Sequence, residues 1–343
     1  MSKMPPRITV VMPVHNGEDF IFEAVKSVLA QTCATFVLLV VDDGSQDRTG
    51  EILAGFDDPR LRVLDLPGHP GLVAALNHGL AQADTEYIAR MDADDVCRPD
   101  RFERQVAFLD AQPHVALCGT WSREVGSRFG PARRPPCDPE ALRARMLFGG
   151  AVAHSSMMYR SDFIRRNRLG YSGEYPHAED YDFASRAAEM ASIANLPEVL
   201  MHHRVHPGQV SAVHSTEQAQ SHCRLVLREL AKLAPEATGE EKDMHLSVAL
   251  GSIPAAAFPK AERWLLKLKQ ANLDRKRYET KSFDAEVDQR WFYAHSLAKK
   301  AGLQTLRSYW LSPLRDVRTI GVLRHARLAS RCFLGSVASR RGA

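Results

Sequence analysis

The sequence predicts an α/β fold, in which a central, mainly parallel sheet is flanked by helices and followed by a helical C-terminal extension. Short β-type runs alternate with segments of helical period from residue 7 to about residue 122. This alternation is the pattern of parallel strands joined by crossover helices. From Ser215 onward the segments are helical in period. We therefore predict a first domain over residues 1–214 and a helical extension with a basic tail over residues 215–343.

Five segments of the first domain have the composition of strands. Because β-α-β crossovers are right-handed, we expect all five to run in one direction, with their carboxyl ends on one rim of the sheet. Ligands of open parallel sheets bind at that rim, so polar residues just past a strand are candidates for function. The predicted strands are Ile8–Val14, Phe36–Asp42, Leu61–Leu66, Tyr87–Asp92 and Val115–Gly119.

Helices are predicted where apolar residues recur at helical spacing between these strands. One lies between the first two strands, one precedes the fourth, and one opens at Pro99. Beyond Ser122 we expect a Pro- and Arg-rich loop, then a helix, a short strand and a further helix. These elements are predicted at residues 130–139, 142–148, 155–159 and 179–190.

The charge of the chain is unevenly distributed. The whole sequence of 343 residues has a formal net charge of +4, but residues 311–343 carry seven arginines against one acidic residue, a net charge of +6. The residues before this tail therefore have a small negative net charge, which argues against a nucleic-acid-binding body. The tail itself suits an anionic surface.

Cysteine spacing and apolar run length exclude several classes of protein. The six cysteines form no CxxC pair, so neither a zinc site nor a disulfide framework is indicated. The longest aliphatic run, residues 36–41, is far shorter than the roughly 18 residues that a membrane span needs. The first strand is also too short for a signal peptide. We predict a cytoplasmic location.

Two acidic clusters follow predicted strands, Asp42-Asp43 and Asp92-Ala93-Asp94-Asp95. Three carboxylates within four positions repel one another, so such a cluster is either a solvated turn or a set of ligands for a cation. Its place after an apolar strand favours the cation. Oxygen ligands suit Mg²⁺ or Mn²⁺, which share their coordination with substrate phosphates. The ligand that we deduce is a nucleotide diphosphate, whose leaving charge the metal would neutralise.

Several short motifs occur in a characteristic order along the chain, and together they resemble the family 2 glycosyltransferases. They are Ile8–Glu18, Val41–Asp47, Arg90–Asp95 with Pro99–Arg101, His177–Asp182 and Arg204–Ser211. The resemblance covers about residues 7–212. It implies a GT-A type, Rossmann-like fold and a nucleotide-diphosphate-sugar donor, with UDP-sugars favoured. It also implies inverting transfer to a saccharide or lipid-linked acceptor, in cell-surface polysaccharide or glycoconjugate synthesis.

The resemblance assigns roles to residues on the donor side. Asp43 would hydrogen-bond the base, and Asp92 would lie on the ribose or metal side. Asp94 would be the direct metal ligand, with His206 completing the metal shell or contacting phosphate. A simple turn and helix cap remains an alternative for the region around Asp43. The residues expected to contact the nucleotide sugar are Pro13, Val14, Asn16, Glu18, Asp43, Asp92 and Ala93.

On the acceptor side, the resemblance makes Asp180 the catalytic base, with Glu179 directly before it. An inverting transfer needs one base to take the proton of the attacking hydroxyl. The two acids also suit a helix N-terminus, where the helix dipole stabilises them, and both interpretations can hold together. His154 matches an acceptor-side position, and an ordinary buried histidine is the alternative there. One departure from the family is Leu76, where many relatives carry an arginine.

Other interpretations remain open at this stage. A sugar-phosphate nucleotidyltransferase would need a Gly-rich loop followed by Lys or Arg after the first strand. Residues 14–18 of this chain instead end in the acidic residue Glu18. A non-catalytic nucleotide-sugar-binding protein predicts loss of the base, and Asp180 is present. A zinc site formed by His202, His203 and His206 lacks a fourth ligand at a usual spacing. The turn after the first strand also lacks the GxGxxG of a dehydrogenase.

The basic tail has two interpretations. Its arginines alternate with apolar residues such as Leu314, Val317 and Leu323, as in a helix that lies on a membrane surface. These apolar residues do not form one clean stripe, so a helix that packs internally or mediates a homo-oligomer is the alternative. The first interpretation predicts peripheral contact with the inner face of the cell membrane.

Overall fold

The computed structural model describes residues 5–33, 35–126, 130–209, 213–298 and 302–341. The chain divides into two compact units, the first formed by residues 1–142 and 150–221 and the second by residues 143–149 and 222–343. Val210 and Ser211, which end the last motif of the resemblance, lie outside the described residues, as do the last two residues of the basic tail.

The described strands of the first unit form one nine-stranded sheet. Its order is β3-β2-β1-β4-β8-β6-β9-β5, with β7 paired to β6. The strands are β1 (Ile8–Val14), β2 (Phe36–Asp42), β3 (Leu61–Asp65), β4 (Tyr87–Arg90), β5 (Val96–Cys97), β6 (Val115–Val125), β7 (Ala132–Arg133), β8 (Met158–Arg160) and β9 (Ser192–Arg204).

The five strands predicted from the sequence all run in the same direction, as expected. β1 to β4 pair in parallel. β8 is antiparallel to both β4 and β6, so β6 points the same way as β4. The register aligns Val14 of β1 with Asp42 of β2, and Asp42 with Asp65 of β3. The predicted fold class, a mainly parallel sheet with flanking helices, is therefore confirmed, and the strand ends form one rim.

Helices of the first unit cover both faces of the sheet, which explains why β1 and β2 are continuous apolar runs. α1, for example, buries Ile21, Ala24, Val25 and Val28, the spacing of one helical face. The helices are α1 (Ile21–Leu29), α2 (Thr49–Ala54), α3 (Leu72–Gln82), α4 (Arg101–Ala111), α5 (Pro139–Met146), α6 (Ser161–Asn167) and α7 (Glu179–Met190). Of these, α5 begins in the first unit and ends in the second, which contains residues 143–149.

The sequence analysis missed β9, which runs through 13 residues from Ser192 to Arg204. Pro197 and Glu198 interrupt its apolar pattern, and a proline inside a run argues against a central strand. The structure accommodates them as a bulge, since Thr120 of β6 pairs with Leu196 while the next residue pairs with Val199. The short strand predicted at residues 155–159 instead begins as a 3-10 turn at 154–156, with β8 at 158–160.

The second unit is helical, and its core contains large aromatic side chains, including Phe258, Trp264, Phe283 and Trp291. None of the described helices combines the length and apolar character needed to cross a bilayer. The C-terminal helices are α8 (Ser215–Leu233), α9 (Gly239–Ala249), α10 (Phe258–Arg275), α11 (Thr280–Ser296), α12 (Leu303–Leu311), α13 (Val317–Ile320) and α14 (Val322–Arg341).

Two buried histidines should make the second unit sensitive to acid. Burial lowers the pKa of His245 and that of His295 to about 4. The Nδ1 atom of His245 accepts a hydrogen bond from Trp264 Nε1 at 3.3 Å, which a proton there would remove. Both imidazoles are therefore neutral in the folded unit. The unfolded chain takes up protons as the pH falls below 6.5, whereas the folded unit does so only near pH 4.

We therefore expect the free energy of unfolding to fall by about 2 kcal/mol per histidine between pH 7 and pH 5. Denaturant titrations followed by tryptophan fluorescence measure this, because three of the four tryptophans belong to this unit. The double variant His245→Gln/His295→Gln should flatten the pH dependence, even if it is less stable at pH 7. His114→Gln, on the exposed surface of the first unit, is the control. Equal stability at pH 5 and pH 7 would contradict the prediction.

Candidate active site

The predicted metal site is a turn, residues 92–95, that follows β4 at the rim of the sheet. Met91 still bonds to β1 through Val11 O, and the chain then turns, with Asp95 N donating to Asp92 O. Asp92, Asp94 and Asp95 each offer one carboxylate oxygen, and these atoms lie within 4.8 Å of one another. We call residues 92–95 the acidic turn. Its carboxylates converge closely enough to share a cation.

The three carboxylates of the acidic turn have different surroundings. Asp95 is fully buried, where it accepts a hydrogen bond from Arg204 N at 2.9 Å and lies 3.2 Å from His203 Nδ1. It therefore ties the turn to the end of β9. Asp94 is partly exposed, and its Oδ2 lies 3.1 Å from His206 Nε2. The two residues expected to hold the metal, Asp94 and His206, thus lie together, although a long stretch of chain separates them.

Arg90 is a residue of this site that the sequence analysis missed. Its side chain is almost completely buried and forms an ion pair with Asp92. Burial opposes ionisation of Asp92, but the Arg90 charge helps to outweigh this and the pKa of Asp92 is lowered. The signal in the sequence was a charged residue inside the apolar run from Tyr87 to Met91. Arg90 therefore compensates one of the negative charges of the acidic turn.

Asp94 has the opposite electrostatic behaviour. Burial raises the pKa of Asp94, and the negative charges of Asp92 and Asp95 raise it further. A divalent cation at this position would neutralise the excess negative charge. Carboxylate oxygens with one imidazole nitrogen are a donor set that Mn²⁺ accepts, and Mg²⁺ suits the carboxylates. The residues present therefore fit the predicted metal, and Asp94 with His206 would hold it.

The expected catalytic base lies at the start of α7. Burial, together with the negative charge of Glu179, raises the pKa of Asp180 to about 7. The Asp180 carboxylate accepts a hydrogen bond from Tyr181 N at 2.7 Å. The charges of Arg90 and Asp92 also act on it, so Asp180 lies within electrostatic reach of the acidic turn. A carboxyl group that titrates near neutral pH suits proton transfer.

His154 lies beside the same group of charges. Burial and the charge of Arg90 lower the pKa of His154 well below its ordinary value, so the imidazole is neutral. Its Nε2 lies 3.0 Å from the hydroxyl of Tyr171. Asn77 fixes the backbone of Tyr171 through two hydrogen bonds of 2.9 and 2.8 Å. Tyr171, which was not singled out from the sequence, therefore holds His154 in place, and the charge of Asp180 also acts on Tyr171.

The residues expected to contact the nucleotide at the end of β1 shape the rim through their backbone and side chains. Pro13 and Val14 are the last two residues of β1 and pair with Val41 and Asp42 of β2. Their backbone therefore forms part of the rim. Asn16 has a positive φ of 50° and bonds to the loop after β2, donating from its N–H to Ser45 Oγ at 2.9 Å. The Glu18 carboxylate accepts from Arg48 N at 3.1 Å. Asn16 and Glu18 thus join the loops after β1 and β2.

Asp43, the expected base-binding residue, is almost completely buried at the same rim. Its carboxylate accepts a hydrogen bond from Gly71 N at 3.1 Å and lies 2.7 Å from His69 Nδ1. The ring of His15 stacks on that of His69 with centroids 3.8 Å apart. A carboxylate can accept about four hydrogen bonds, so Asp43 retains capacity for an N–H of a base. His15 and His69 were missed, although both follow predicted strands.

The structure also shows the surroundings of Ala93, of Leu76 and of the three histidines near the end of β9. Ala93 packs, partly buried, against the apolar core beneath the acidic turn. Leu76 is buried on α3, so this position offers no cation to a diphosphate. Among the described residues, the histidines at positions 202, 203 and 206 do not form a metal cluster.

Comparisons with known proteins agree with this architecture. The model of the family "Glycosyl transferase family 2" matches residues 9–167. An uncharacterized glycosyltransferase of Haemophilus influenzae is 30% identical over 228 residues, which cover 63% of this chain and 71% of the relative. The succinoglycan biosynthesis protein ExoO of Rhizobium meliloti is 31% identical over 189 residues, covering 51% of this chain and 54% of that protein.

Solved structures share the fold at lower sequence identity. S. aureus TarS in complex with UDP-GlcNAc superposes with a TM-score of 0.57 at 20% identity, covering 98% of this chain and 92% of that one. The mannosyltransferase PcManGT of Pyrobaculum calidifontis, in complex with GDP-Man and Mn²⁺, gives a TM-score of 0.53 at 17% identity, covering 96% and 86%. The family match, the relatives and the rim geometry lead to one conclusion: this chain belongs to the family 2 glycosyltransferases and has their GT-A type fold.

Proposed function

We propose that this glycosyltransferase moves a sugar from a nucleoside-diphosphate donor to an acceptor hydroxyl with inversion at the anomeric carbon. The observation that carries the proposal is electrostatic: the charges of Arg90 and Asp92 act on the Asp180 carboxyl, which supports placing Asp180 near the acidic turn. One carboxyl group with a pKa of about 7 thus lies beside a cluster that fits a cation. A base on one side and a held diphosphate on the other are what a single displacement needs.

In the proposed reaction, the acceptor oxygen bonds to the anomeric carbon while the bond from that carbon to the diphosphate oxygen breaks. Asp180 takes the proton of the attacking hydroxyl. Asp94 and His206 would hold Mn²⁺ or Mg²⁺, which would supply positive charge to neutralise the leaving diphosphate. Asp43 receives the base of the nucleotide. Glu179 is a positioning residue whose charge keeps the pKa of Asp180 high.

The donor and acceptor classes are inferred from relatives. TarS binds UDP-GlcNAc and PcManGT binds GDP-Man with Mn²⁺, so UDP-sugars are our first choice and GDP-sugars the second. ExoO takes part in succinoglycan biosynthesis, which supports a saccharide or lipid-linked acceptor in cell-surface polysaccharide synthesis. A cytoplasmic location and a homo-oligomeric state stay predictions.

A nucleotide-release screen tests the proposal. The full chain is incubated with UDP-, GDP- and dTDP-sugars and Mn²⁺, with and without saccharide acceptors. We expect release from one donor, stimulated by an acceptor. Tight binding of a donor without any release across a broad acceptor panel would instead identify a non-catalytic nucleotide-sugar-binding protein and contradict the proposal.

The pH dependence of transfer should depend on Glu179. Asp180 must be ionised to accept a proton, so kcat/KM should rise as the pH increases through about 7. Glu179→Gln removes the negative charge that raises the pKa of Asp180. We expect this limb of the pH profile to move to lower pH by roughly half a unit to one unit.

The control for this experiment is Glu51→Gln, an identical change at an exposed position on α2. It should leave the pH profile in place. If Glu179→Gln lowers kcat without moving the limb, Glu179 does not set the pKa of the base, and its assigned role is wrong.

A further inference from the structure

The end of α12 and the start of α14 expose large apolar side chains to solvent. Leu311, Val322 and Leu323 are 72%, 71% and 77% exposed, and Trp310 is 44% exposed. We call these four residues the apolar patch. Single exposed apolar residues are common, but clustered ones indicate a contact surface.

Side-chain contacts join the end of α12 to the start of α14, the two segments that carry the apolar patch. The ring of Trp310 lies 5.9 Å from that of His325 in the first turns of α14. The hydroxyl of the neighbouring Tyr309 lies 2.7 Å from His325 Nε2. Leu311 follows Trp310 directly, and Leu323 lies two positions before His325. Trp310 and Leu311 on α12, and Val322 and Leu323 on α14, therefore all lie within a few residues of the buried hydrogen bond between Tyr309 and His325.

The apolar patch is separate from the face that packs α14 into its unit. His325, Leu328 and Cys332 are buried and follow one another at helical spacing. Gly321, with a φ of +83°, breaks the tail between α13 and α14. This break explains why the apolar residues of the tail form no single stripe. The inner face is already satisfied by packing, so the patch is not an unfilled part of the core.

Exposed arginines lie in the same segments of the chain as the apolar patch, and one of them contacts it. The guanidinium of Arg315 lies 5.0 Å from the centre of the Trp310 ring. Arg318, Arg324 and Arg327 are exposed on α13 and α14. The sequence from residue 311 to the end carries seven arginines and one acidic residue. The surface therefore combines apolar side chains with a concentrated positive charge.

We propose that the apolar patch and its arginines dock on the surface of an anionic lipid bilayer. A bilayer offers acyl chains to the apolar residues and negatively charged headgroups to the arginines, so it satisfies both features at once. A second copy of the chain would bring arginines against arginines at a two-fold contact, which is unfavourable. This surface goes beyond the transfer reaction and does not depend on it.

Vesicle co-sedimentation of the full chain tests the proposal. Vesicles of phosphatidylcholine alone are compared with vesicles that contain about 30% phosphatidylglycerol, a fraction typical of a strongly anionic surface. We expect binding to the anionic vesicles only, weakened by high salt. The emission of Trp310 should shift to the blue on binding, and Trp310→Phe should lose most of this shift.

Two variants separate the apolar and the electrostatic contributions. Leu311→Glu/Leu323→Glu and Arg318→Glu/Arg324→Glu should each reduce partitioning onto anionic vesicles by about tenfold or more. The matched control is Leu266→Glu/Leu273→Glu, which changes two exposed leucines on α10 of the same unit. It should bind like the wild type. Melting temperatures verify folding, and nucleotide release from a soluble donor without vesicles reports the transfer reaction separately.

Three results would overturn the proposal. Equal binding to neutral and anionic vesicles would show that the arginines do not contribute to binding. Wild-type binding by Leu311→Glu/Leu323→Glu would remove the role of the patch. Absence of vesicle binding, together with a dimer in light scattering that this variant dissociates, would assign the patch to a second copy of the chain.

Discussion

Asp180→Asn is expected to reduce sugar transfer by about 10³-fold while leaving donor affinity within a few fold of the wild type. The amide cannot take the proton of the attacking hydroxyl, yet it keeps the size of the carboxyl group and the backbone hydrogen bond from Tyr181 N as an acceptor. In the proposed site the donor would be held elsewhere at the rim, by Asp43 and the acidic turn. Because the loss falls on kcat, it should be visible in single-turnover transfer with saturating donor.

The control is Asp84→Asn, the same change at an exposed position after α3. It should transfer at the wild-type rate. Donor binding of both variants is measured by calorimetry. Transfer by Asp180→Asn at more than about a tenth of the wild-type rate would exclude Asp180 as the base, since general-base catalysis contributes at least about 10²-fold.

Asp94→Ala is expected to abolish metal binding and to reduce transfer by about 10²- to 10³-fold. The change removes the partly exposed carboxylate that faces His206 across 3.1 Å. The remaining acids of the turn are engaged, Asp92 by Arg90 and Asp95 by Arg204 N. Mn²⁺ affinity, measured by electron paramagnetic resonance in the presence of the nucleoside diphosphate, reports the effect directly.

Two further variants make this experiment specific. Asp57→Ala, at an exposed position beyond α2, should leave Mn²⁺ affinity unchanged. His206→Ala should weaken it by about tenfold to a hundredfold, because the carboxylate remains. Mn²⁺ affinity that is the same in Asp94→Ala and the wild type would refute the assigned ligand. Full transfer by the wild-type chain in excess chelator would refute the need for a metal.

The sheet and its rim were accessible from the sequence because parallel strands covered on both faces are continuous apolar runs. β1 and β2 have the predicted bounds, and the predicted parallel direction follows from the handedness of the crossovers. β9 was not accessible, because Pro197 and Glu198 break its apolar pattern. The strand forms only because a bulge opposite β6 absorbs these two residues, and that depends on a partner strand far away in the sequence.

The candidate site likewise has residues that could be predicted from the sequence and features that depend on the fold. Asp94, Asp180 and His206 could be named from motifs, but their convergence depends on the packing of β4, α7 and the segment after β9. Arg90 stands out in the sequence as a charge inside an apolar run, but its ion pair with Asp92 could not be predicted, because an arginine at a strand end is usually solvated. Its burial beside Asp92 became visible only with the fold. The raised pKa of Asp180 is likewise a result of burial, which no motif shows.

The tail shows a different limit of sequence analysis. Its arginines indicated an anionic partner, but the apolar residues between them do not fall on one face of a single helix. The break at Gly321 and the buried side chains of His325 and Leu328 divide these residues between the core and the surface. Only after this division can Leu311 and Leu323 be assigned to an exposed patch.

The most direct test of the central claim is the anomeric configuration of the first product, followed by proton NMR during transfer from an α-linked donor identified in the screen. In a single displacement, Asp180 takes the proton of the acceptor hydroxyl, whose oxygen attacks the anomeric carbon on the face opposite the diphosphate. This predicts a β-linked product. The α-linked product as the initial species would contradict a single displacement and, with it, the role of Asp180 as the only base.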